Sequence, residues 1–342
     1  MDDDVDGLQH WFHTNYGAEA DLMECDKGSA GFSNETWSLT VHDGGVVRNL
    51  ILRKPRTETA FFPEYDLDFQ YGILKALSPT PIPAPVPLQF ERDAGFIGTP
   101  FYLMERVAPG MGIVPIDGPP SGIHGMGMFF DSTEQRRTAL WHSAIDAIAE
   151  VHAVDVNTVD LPFTRRPRDL RDVVETQLEL IDHWHRHGST DPIPALVKAS
   201  AILRDTVPDQ DDIVLCWGDA KPGNLVFVDD AVAGVLDWEM AHLGTPEMDV
   251  MYWIVTDEVS ASSYGLPRLP GCPTGEETVE YYEQRSGRQL RNLDFHRMFQ
   301  TLRLATLLVL ADRVVTQMGI AEYFPDNWAT NNEPYRKLES LL

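Results

Sequence analysis

Cysteine is scarce in this chain. Its 342 residues include three, Cys25, Cys216 and Cys272, far apart and without a C-x-x-C pair. That excludes a disulfide framework and a structural zinc site, and it fits a reducing compartment. Cys216 is expected to be a buried thiol rather than a nucleophile. Long apolar runs are also lacking: the longest, LATLLVL (304–310), is bounded by Arg303 and Asp312 and falls far short of a membrane span. One buried helix is expected there. Basic residues are few, 27 Lys and Arg against 53 Asp and Glu, for a formal charge of −26. Nucleic-acid binding is excluded by this balance, because neutralising a phosphate backbone takes clustered cations. The acidic opening MDDDVDG is the reverse of a basic secretory leader, so a cytoplasmic protein without a membrane is expected. Apolar residues, in contrast, make up 43% of a chain whose length suits two lobes.

The chemistry is concentrated in CWGDAKPGNLVFVDDAVAGVLDWE, residues 216–239. Asn224 follows Asp219 by five positions, the D-x-x-x-x-N spacing of a kinase catalytic loop. There the Asp accepts a hydroxyl proton, the Asn binds a metal ion and a later Asp holds metal against nucleotide phosphates. Asp237 is the later Asp. LVFV (225–228) and AGVLDW (233–238) are β-type runs around a turn-like DDA, which predicts a hairpin. Such a hairpin carries Asn224 and Asp237 to the same end of its strands, close to Asp219. Three oxygen donors meeting there suit magnesium, a hard cation. The segment reads as phosphoryl transfer from a nucleotide to a hydroxyl.

Upstream, residues 1–20 read as a helical lead-in. WSLTV and VVRNLILR read as strands joined by HDGG, a hairpin signal. GSAGFSN before them has the small residues of a loop that folds over phosphates. A helix is predicted over 64–77, an extended proline segment over 79–87 and a buried strand at FYLMERV (101–107), followed by a PGMGI connector. Strands, helix, strand and connector in this order give a small β-rich lobe over residues 1–107. Residues 108–342 form a larger, mainly helical lobe, and the whole is an α+β, bilobal, protein-kinase-like fold. Within 108–342, Ser132 and Gln135 suggest a capping box for a helix over 133–153. Further helices are predicted over 169–187, 276–286 and 294–318. His183, His185 and His187 do not share a helix face and no carboxylate or Cys completes a set, so a metal site is not expected there.

These segments resemble the aminoglycoside phosphotransferase-like kinase family, in particular the branch that includes kinase domains fused to acyl-CoA dehydrogenases. The resemblance rests on GFSNETW (31–37), LILRKP (50–55), GTPFYLMERVAPG (98–110), WGDAKPGN (217–224), VLDWEMAHLGTPEMD (235–249) and YYEQRSGR (281–288). It implies ATP and Mg2+ as cofactors, Asp219 as catalytic base or orienter of the attacking hydroxyl, and Asn224 and Asp237 as metal ligands. It also implies Ser33 and Asn34 in the loop over the triphosphate. Arg53 would stand where kinases place a strand lysine, a substitution that bidentate phosphate binding permits. Lys54 should point to the opposite face. The strand exit at 104–107, with Glu105 and Val107, would receive adenine.

Two positions depart from the family pattern. Trp217 stands where a His usually supports the catalytic loop, which should alter loop packing more than chemistry. Gln70 aligns with the helix carboxylate that normally pairs with the strand cation, so either Gln70 bonds Arg53 or one of Glu64, Asp66 and Asp68 does so. The expected acceptor is a small-molecule hydroxyl: a hydroxy acid, a hydroxyacyl-CoA or another alcohol. An anionic acceptor needs a basic patch, for which TRRPRDLR (164–171) is the candidate, with a solvated turn as the plainer reading. An aminoglycoside 3'-type phosphotransferase and a nucleotide-binding pseudokinase are the competing readings. A protein kinase is disfavoured, since few residues after Asp237 are left for an activation segment.

Overall fold

The computed structural model describes residues 3–28, 33–56, 59–107 and 122–342. Five antiparallel strands form one sheet in the order β1-β2-β3-β5-β4: β1 (Asp21–Lys27), β2 (Asn34–Asp43), β3 (Val46–Pro55), β4 (Pro87–Glu91) and β5 (Phe101–Glu105). Gly44 and Gly45, with φ of 55° and 88°, close the two-residue β2–β3 turn. Only a pair of residues tolerant of left-handed backbone matches the twist of the flanking strands there. Alternation then sorts the side chains by face. Trp37, Leu39, Val41, Leu50 and Leu52 pack on Leu8, Trp11 and Phe12 of helix α1 (Asp3–Tyr16). Arg53, Tyr102 and Met104 belong to the other face, toward α2 (Leu67–Leu77). Lys54 goes to the α1 side, over the Trp37 ring and 3.3 Å from Glu35, so the expected opposition of Arg53 and Lys54 holds.

α2 starts later than position 64, because the Asp66 carboxylate accepts from the Phe69 N–H and caps the helix there. Beyond the proline segment the chain enters β4, an edge strand that the sequence pattern did not reveal.

The C-terminal part is helical: α3 (Gly127–Phe130), α4 (Glu134–His152), α5 (Leu170–Gly188), α6 (Pro194–Asp205), α7 (Pro246–Ser263), α8 (Gly275–Ser286), α9 (Leu293–Gln317) and α10 (Glu333–Ser340). The cap of α4 is Thr133, which accepts from the Arg136 N–H, while the Ser132 hydroxyl donates to the Met128 carbonyl; the expected capping box therefore does not form. Strands β6 (Val214–Cys216) and β9 (His242–Gly244) pair with each other, as do β7 (Leu225–Val228) and β8 (Ala231–Val235). The β7–β8 turn is Asp229–Asp230, both at positive φ, one residue shorter than the predicted DDA.

One core links the two parts. Ile73, Leu74, Tyr102 and Met104 pack with Trp141, Ile145, Trp217, Leu225 and Trp253. A second contact is made by the segment between β3 and α2. Phe62 inserts among helices α5, α6 and α9, its ring 4.9 Å from Trp184, and Arg313 donates to the Ala60 carbonyl. No described helix is long and apolar enough to cross a membrane.

Candidate active site

The catalytic-loop segment is built on a buried carboxylate to which the sequence reading gave no role. Asp249, near the start of α7, accepts the backbone N–H of Trp217 at 2.6 Å and of Gly218 at 2.8 Å. His152 completes this anchor, with Nε2 3.1 Å from Asp249 and Nδ1 2.7 Å from the Tyr282 hydroxyl. Gly218 has φ of 92°, and a Cβ there would lie 2.0 Å from the Met240 carbonyl oxygen, so only glycine fits. His152, Cys216 and Asp249 are mutually close. Both imidazole nitrogens and both carboxylate oxygens are already engaged, however, and burial pushes the Cys216 thiol well up. This cluster is structural, and Cys216 is the buried thiol expected.

Asp219 follows directly. Its Oδ1 accepts from the Tyr252 hydroxyl at 2.8 Å, and its Oδ2 accepts from Asn224 Nδ2 at 2.7 Å and Lys221 Nζ at 2.6 Å. Burial by itself would raise this carboxyl; Lys221 foremost, with Tyr252 and Asn224, holds it below the usual range. Arg303 on α9 lies behind, with its guanidinium 5.6 Å from the Tyr252 ring centroid.

The β7–β8 hairpin brings the remaining groups in. Leu225 pairs with Val235, and the Leu236 N–H donates to the Asn224 carbonyl at 2.9 Å, so Asn224 and Asp237 emerge at one end of the two strands. Asp237 adopts φ 60°, ψ 68°, a left-handed conformation that costs a non-glycine residue energy and is concentrated at functional sites. Trp217, in place of the usual His, donates from Nε1 to the Leu236 carbonyl at 2.7 Å. It ties the loop that carries Asp219 to the residue just before Asp237.

From the five-stranded sheet, Arg53 reaches Asp237 with Nη1 at 3.1 Å, and its Nη2 is 4.0 Å from Glu239. Burial opposes its charge, yet Asp237 foremost keeps the guanidinium above its ordinary value. Gln70 does not bond Arg53. It accepts weakly from Asn34 and from the Tyr102 hydroxyl, at 3.5 and 3.4 Å. Nor do the nearby acids substitute: Glu64 pairs with His183, Asp66 caps α2 and Asp68 pairs with Arg92. The second carboxylate beside Arg53 is Glu239, two positions after Asp237. Glu239 also accepts from Asn34 Nδ2 at 2.8 Å and bonds Ser33. Burial first and Asp237 second push this carboxyl up to about 8. Its one signal in the sequence is closeness to Asp237; the short turn Trp238–Met240 and the facing sheet bring it to Arg53.

Ser33, just before β2, and Asn34, its first residue, lie at the site, whereas positions 29–32 fall outside the described residues, as does the PGMGI connector. At the strand exit, Glu105 and Arg106 spend their N–H groups on the Val86 and Asn49 carbonyls, while Val107 packs against Gly234 of β8. The basic stretch at 164–171 is the N-terminal flank of α5. Arg168 chelates Asp172 at 2.9 and 3.0 Å and Arg165 approaches the same carboxylate, while Arg166 donates to the Val156 carbonyl. His183, His185 and His187 diverge to Glu64, to the Ile193 N–H and to Arg313.

The donor set suits magnesium. Asn224 donates its Nδ2 to the Asp219 carbonyl and carboxylate, at 3.1 and 2.7 Å. Its amide oxygen is therefore the atom left for a cation, and Asp237 and Glu239 add carboxylates. An all-oxygen set of this kind matches a hard divalent ion.

The model of the phosphotransferase enzyme family matches residues 25–288, and the chain belongs to that family. Acyl-CoA dehydrogenase family member 10 of Mus musculus is 28% identical over 299 residues, 84% of this chain and 26% of that protein. Acyl-CoA dehydrogenase family member 11 of Gallus gallus is 30% identical over 235 residues, 66% of this chain and 27% of that one. The chain thus spans about a quarter of the length of these relatives. Among solved structures, a Ralstonia eutropha protein described as a candidate aminoglycoside phosphotransferase superimposes with a TM-score of 0.69 at 21% identity, covering 98% of both chains. The aminoglycoside phosphotransferase APH(4)-Ia, in complex with AMP-PNP and hygromycin B, gives 0.59 at 14% identity, over 98% and 97% of the two chains. These likenesses establish the bilobal kinase-like fold.

Proposed function

We propose that this protein transfers the γ-phosphoryl group of ATP to the hydroxyl of a small molecule. The observation that carries the reading is the meeting of Asp219, Asn224 and Asp237 at one end of a hairpin, with Arg53 reaching the same point from the facing sheet. Asp219, anchored through Asp249 and fixed by Tyr252 and Asn224, orients the acceptor hydroxyl and takes its proton. Arg53 binds the α- and β-phosphates. Ser33 and Asn34 lie over the triphosphate, and the 104–107 exit with Glu105 and Val107 meets the adenine. Asn224 and Asp237, with Glu239 beside them, would hold magnesium, which would supply neutralisation of the negative charge on the phosphates. Residues 1–107 form the nucleotide part and 108–342 the acceptor part.

For the acceptor we favour a hydroxy acid or a hydroxyacyl thioester over an aminoglycoside. The relatives named acyl-CoA dehydrogenases support this choice, and the solved structures with hygromycin B supply the alternative. ATP consumption measured against a panel of hydroxy acids, hydroxyacyl-CoAs, neutral alcohols and aminoglycosides tests it. Preferred turnover of an aminoglycoside would reverse the ranking. Asp237→Ala should abolish magnesium-dependent ATP binding in calorimetry, and unchanged affinity would remove Asp237 from the site.

A further inference from the structure

Arg303 has no part in the reading so far. It projects from α9 with its guanidinium 5.6 Å from the Tyr252 ring centroid, and the Tyr252 hydroxyl in turn donates to Asp219 Oδ1 at 2.8 Å. One residue thus separates the guanidinium from the proton acceptor. Arg303 is 1% exposed, yet among the described residues it donates no hydrogen bond and joins no ion pair, and its Nε is enclosed without a partner. The nearby acids are taken: Asp219 by Tyr252, Asn224 and Lys221, and Asp249 by Trp217, Gly218 and His152. Burial opposes the charge of Arg53, Lys221 and Arg303 alike. Asp237 foremost offsets it for Arg53 and Asp219 for Lys221, so both are raised; at Arg303 the more distant Tyr252, Asp219 and Asp249 do not, and the guanidinium is lowered.

The unpaired charge does not stand alone. Gln300, one turn before Arg303, has neither amide atom bonded, and His296, a further turn back, has neither ring nitrogen bonded; both residues are fully buried. Positions 296, 300 and 303 share one face of α9. The helix packs along α7, with Arg303 at Tyr252 and Arg297 paired to Glu258 at 2.8 Å. Between these two contacts come Gln300 on α9 and Thr256 on α7, whose hydroxyl is also unpartnered. Buried polar groups are nearly always bonded, and a buried charge without a partner is strongly unfavourable. Packing gives no reason for a guanidinium here, since an apolar side chain of similar volume would fill the space more favourably. A group that lowers stability in this way is kept where binding uses it.

We propose that Arg303 is the receptor for a carboxylate of the acceptor, with Gln300 beside it as a second donor. The carboxylate pairs with the guanidinium fork, which matches it bidentately. The carbon chain then carries the acceptor hydroxyl past Tyr252 to Asp219. Arg303 makes and breaks no bond; it fixes which molecule is held and where its hydroxyl lies. Because the guanidinium is closed off from solvent, the acceptor enters by a local opening beside Tyr252 and is itself taken out of water. The site therefore selects a small free hydroxy acid. A hydroxyacyl thioester carries no charge at that end and leaves the guanidinium unpaired, while a polycationic aminoglycoside is repelled by it.

The inference rests on the phosphotransferase reading, and nucleotide binding separates the two. The full chain is given ATP–Mg2+ with 2-, 3- or 4-hydroxybutyrate, or with 1,2-, 1,3- or 1,4-butanediol, which keep the hydroxyl and replace the carboxylate. Phosphorylated product is followed by mass spectrometry and ADP–Mg2+ binding by calorimetry. Wild type should phosphorylate at least one acid with kcat/KM about a hundredfold or more above that of its diol, as a site built around a buried polar group does. Arg303→Met should lower kcat/KM for that acid by about a hundredfold and for the diol by at least about tenfold less. The same variant should bind ADP–Mg2+ within about threefold of wild type and melt no lower, because an unpaired buried charge has gone. Arg303→Lys should keep part of the acid preference. A Met variant that retains the acid-to-diol ratio overturns the proposal. So does one that melts well below wild type or fails to fold, since the guanidinium would then be structural. A wild type that binds ADP–Mg2+ but phosphorylates none of the acids, or prefers the diols, overturns it as well. A wild type that does not bind ADP–Mg2+ sinks the phosphotransferase reading itself.

Discussion

Two buried aspartates thirty residues apart should respond to the same substitution in opposite ways. Asp249 accepts three N–H groups, from Trp217 at 2.6 Å, Gly218 at 2.8 Å and His152 at 3.1 Å. Asp249→Asn leaves one acceptor oxygen for them and turns an NH2 toward a backbone donor. One buried N–H left unpaired costs about 1–3 kcal/mol. Loss of the charge-assisted bonds brings the total to roughly 3–5 kcal/mol, the range for breaking a buried charged set. At about 2 °C per kcal/mol for a chain of this size, the melting temperature should fall by roughly 6–10 °C. Asp219→Asn keeps an acceptor for Tyr252 and meets Lys221, which can turn to solvent or to Asp237. Its cost in stability should stay below about 2 kcal/mol, while turnover drops by roughly 10²–10⁴ as for loss of a general base. Denaturant unfolding and an ATP-coupled turnover assay on both proteins give the answer, with mass spectrometry to exclude deamidated material. If Asp249→Asn costs under about 1 kcal/mol, the anchor argument is wrong. Near-native turnover of Asp219→Asn would strip that residue of its role.

Other expectations follow from single contacts. Trp217→Phe removes the 2.7 Å bond to the Leu236 carbonyl and should cost about 1–3 kcal/mol. Because that bond links the Asp219 loop to Asp237, kcat should fall more than KM for ATP rises; an unchanged kcat would show that the loop is held elsewhere. Phe62→Ala empties a site 7% exposed against Trp184 and should destabilise by about 3–5 kcal/mol. A cost below about 1 kcal/mol would mean that this segment is not anchored. Burial, with Arg303 next, takes His242 down to about 4, and burial takes His296 down to about 3. Both are neutral in the native state but protonate in the unfolded chain below about 6.5, so stability is complete above that pH and is lost as pH falls from 6.5 toward 4 and 3. The loss amounts to about 3 kcal/mol for His242. His296→Phe should flatten the acid limb of the urea midpoint; an unaltered slope would contradict the assignment.

The chain order alone determined which local groups come together: the D-x-x-x-x-N spacing, the hairpin between Asn224 and Asp237, and the Arg53–Lys54 alternation are local, and period-two or turn geometry fixes them without help from distant residues. Helices α4 and α5 were legible because an apolar stripe carries its own signature, whereas α9, buried on most sides, was legible from its apolar run LATLLVL. α7 was not, because it is buried on nearly every side and shows no stripe, and the short edge strand β4 takes its form from a neighbour rather than from its own residues. The tertiary structure alone decided which acid stands with Arg53, since Glu239 and not Gln70 is carried to it by the turn after Asp237. It alone decided what supports the catalytic loop, which is Asp249 together with His152 and Trp217, and that Lys221 lies on Asp219. Lys221 and Asp219 are two positions apart, but the other pairings join residues about twenty to nearly two hundred positions apart, and partnership at that separation is a property of the packed core, with no periodicity in the sequence to announce it.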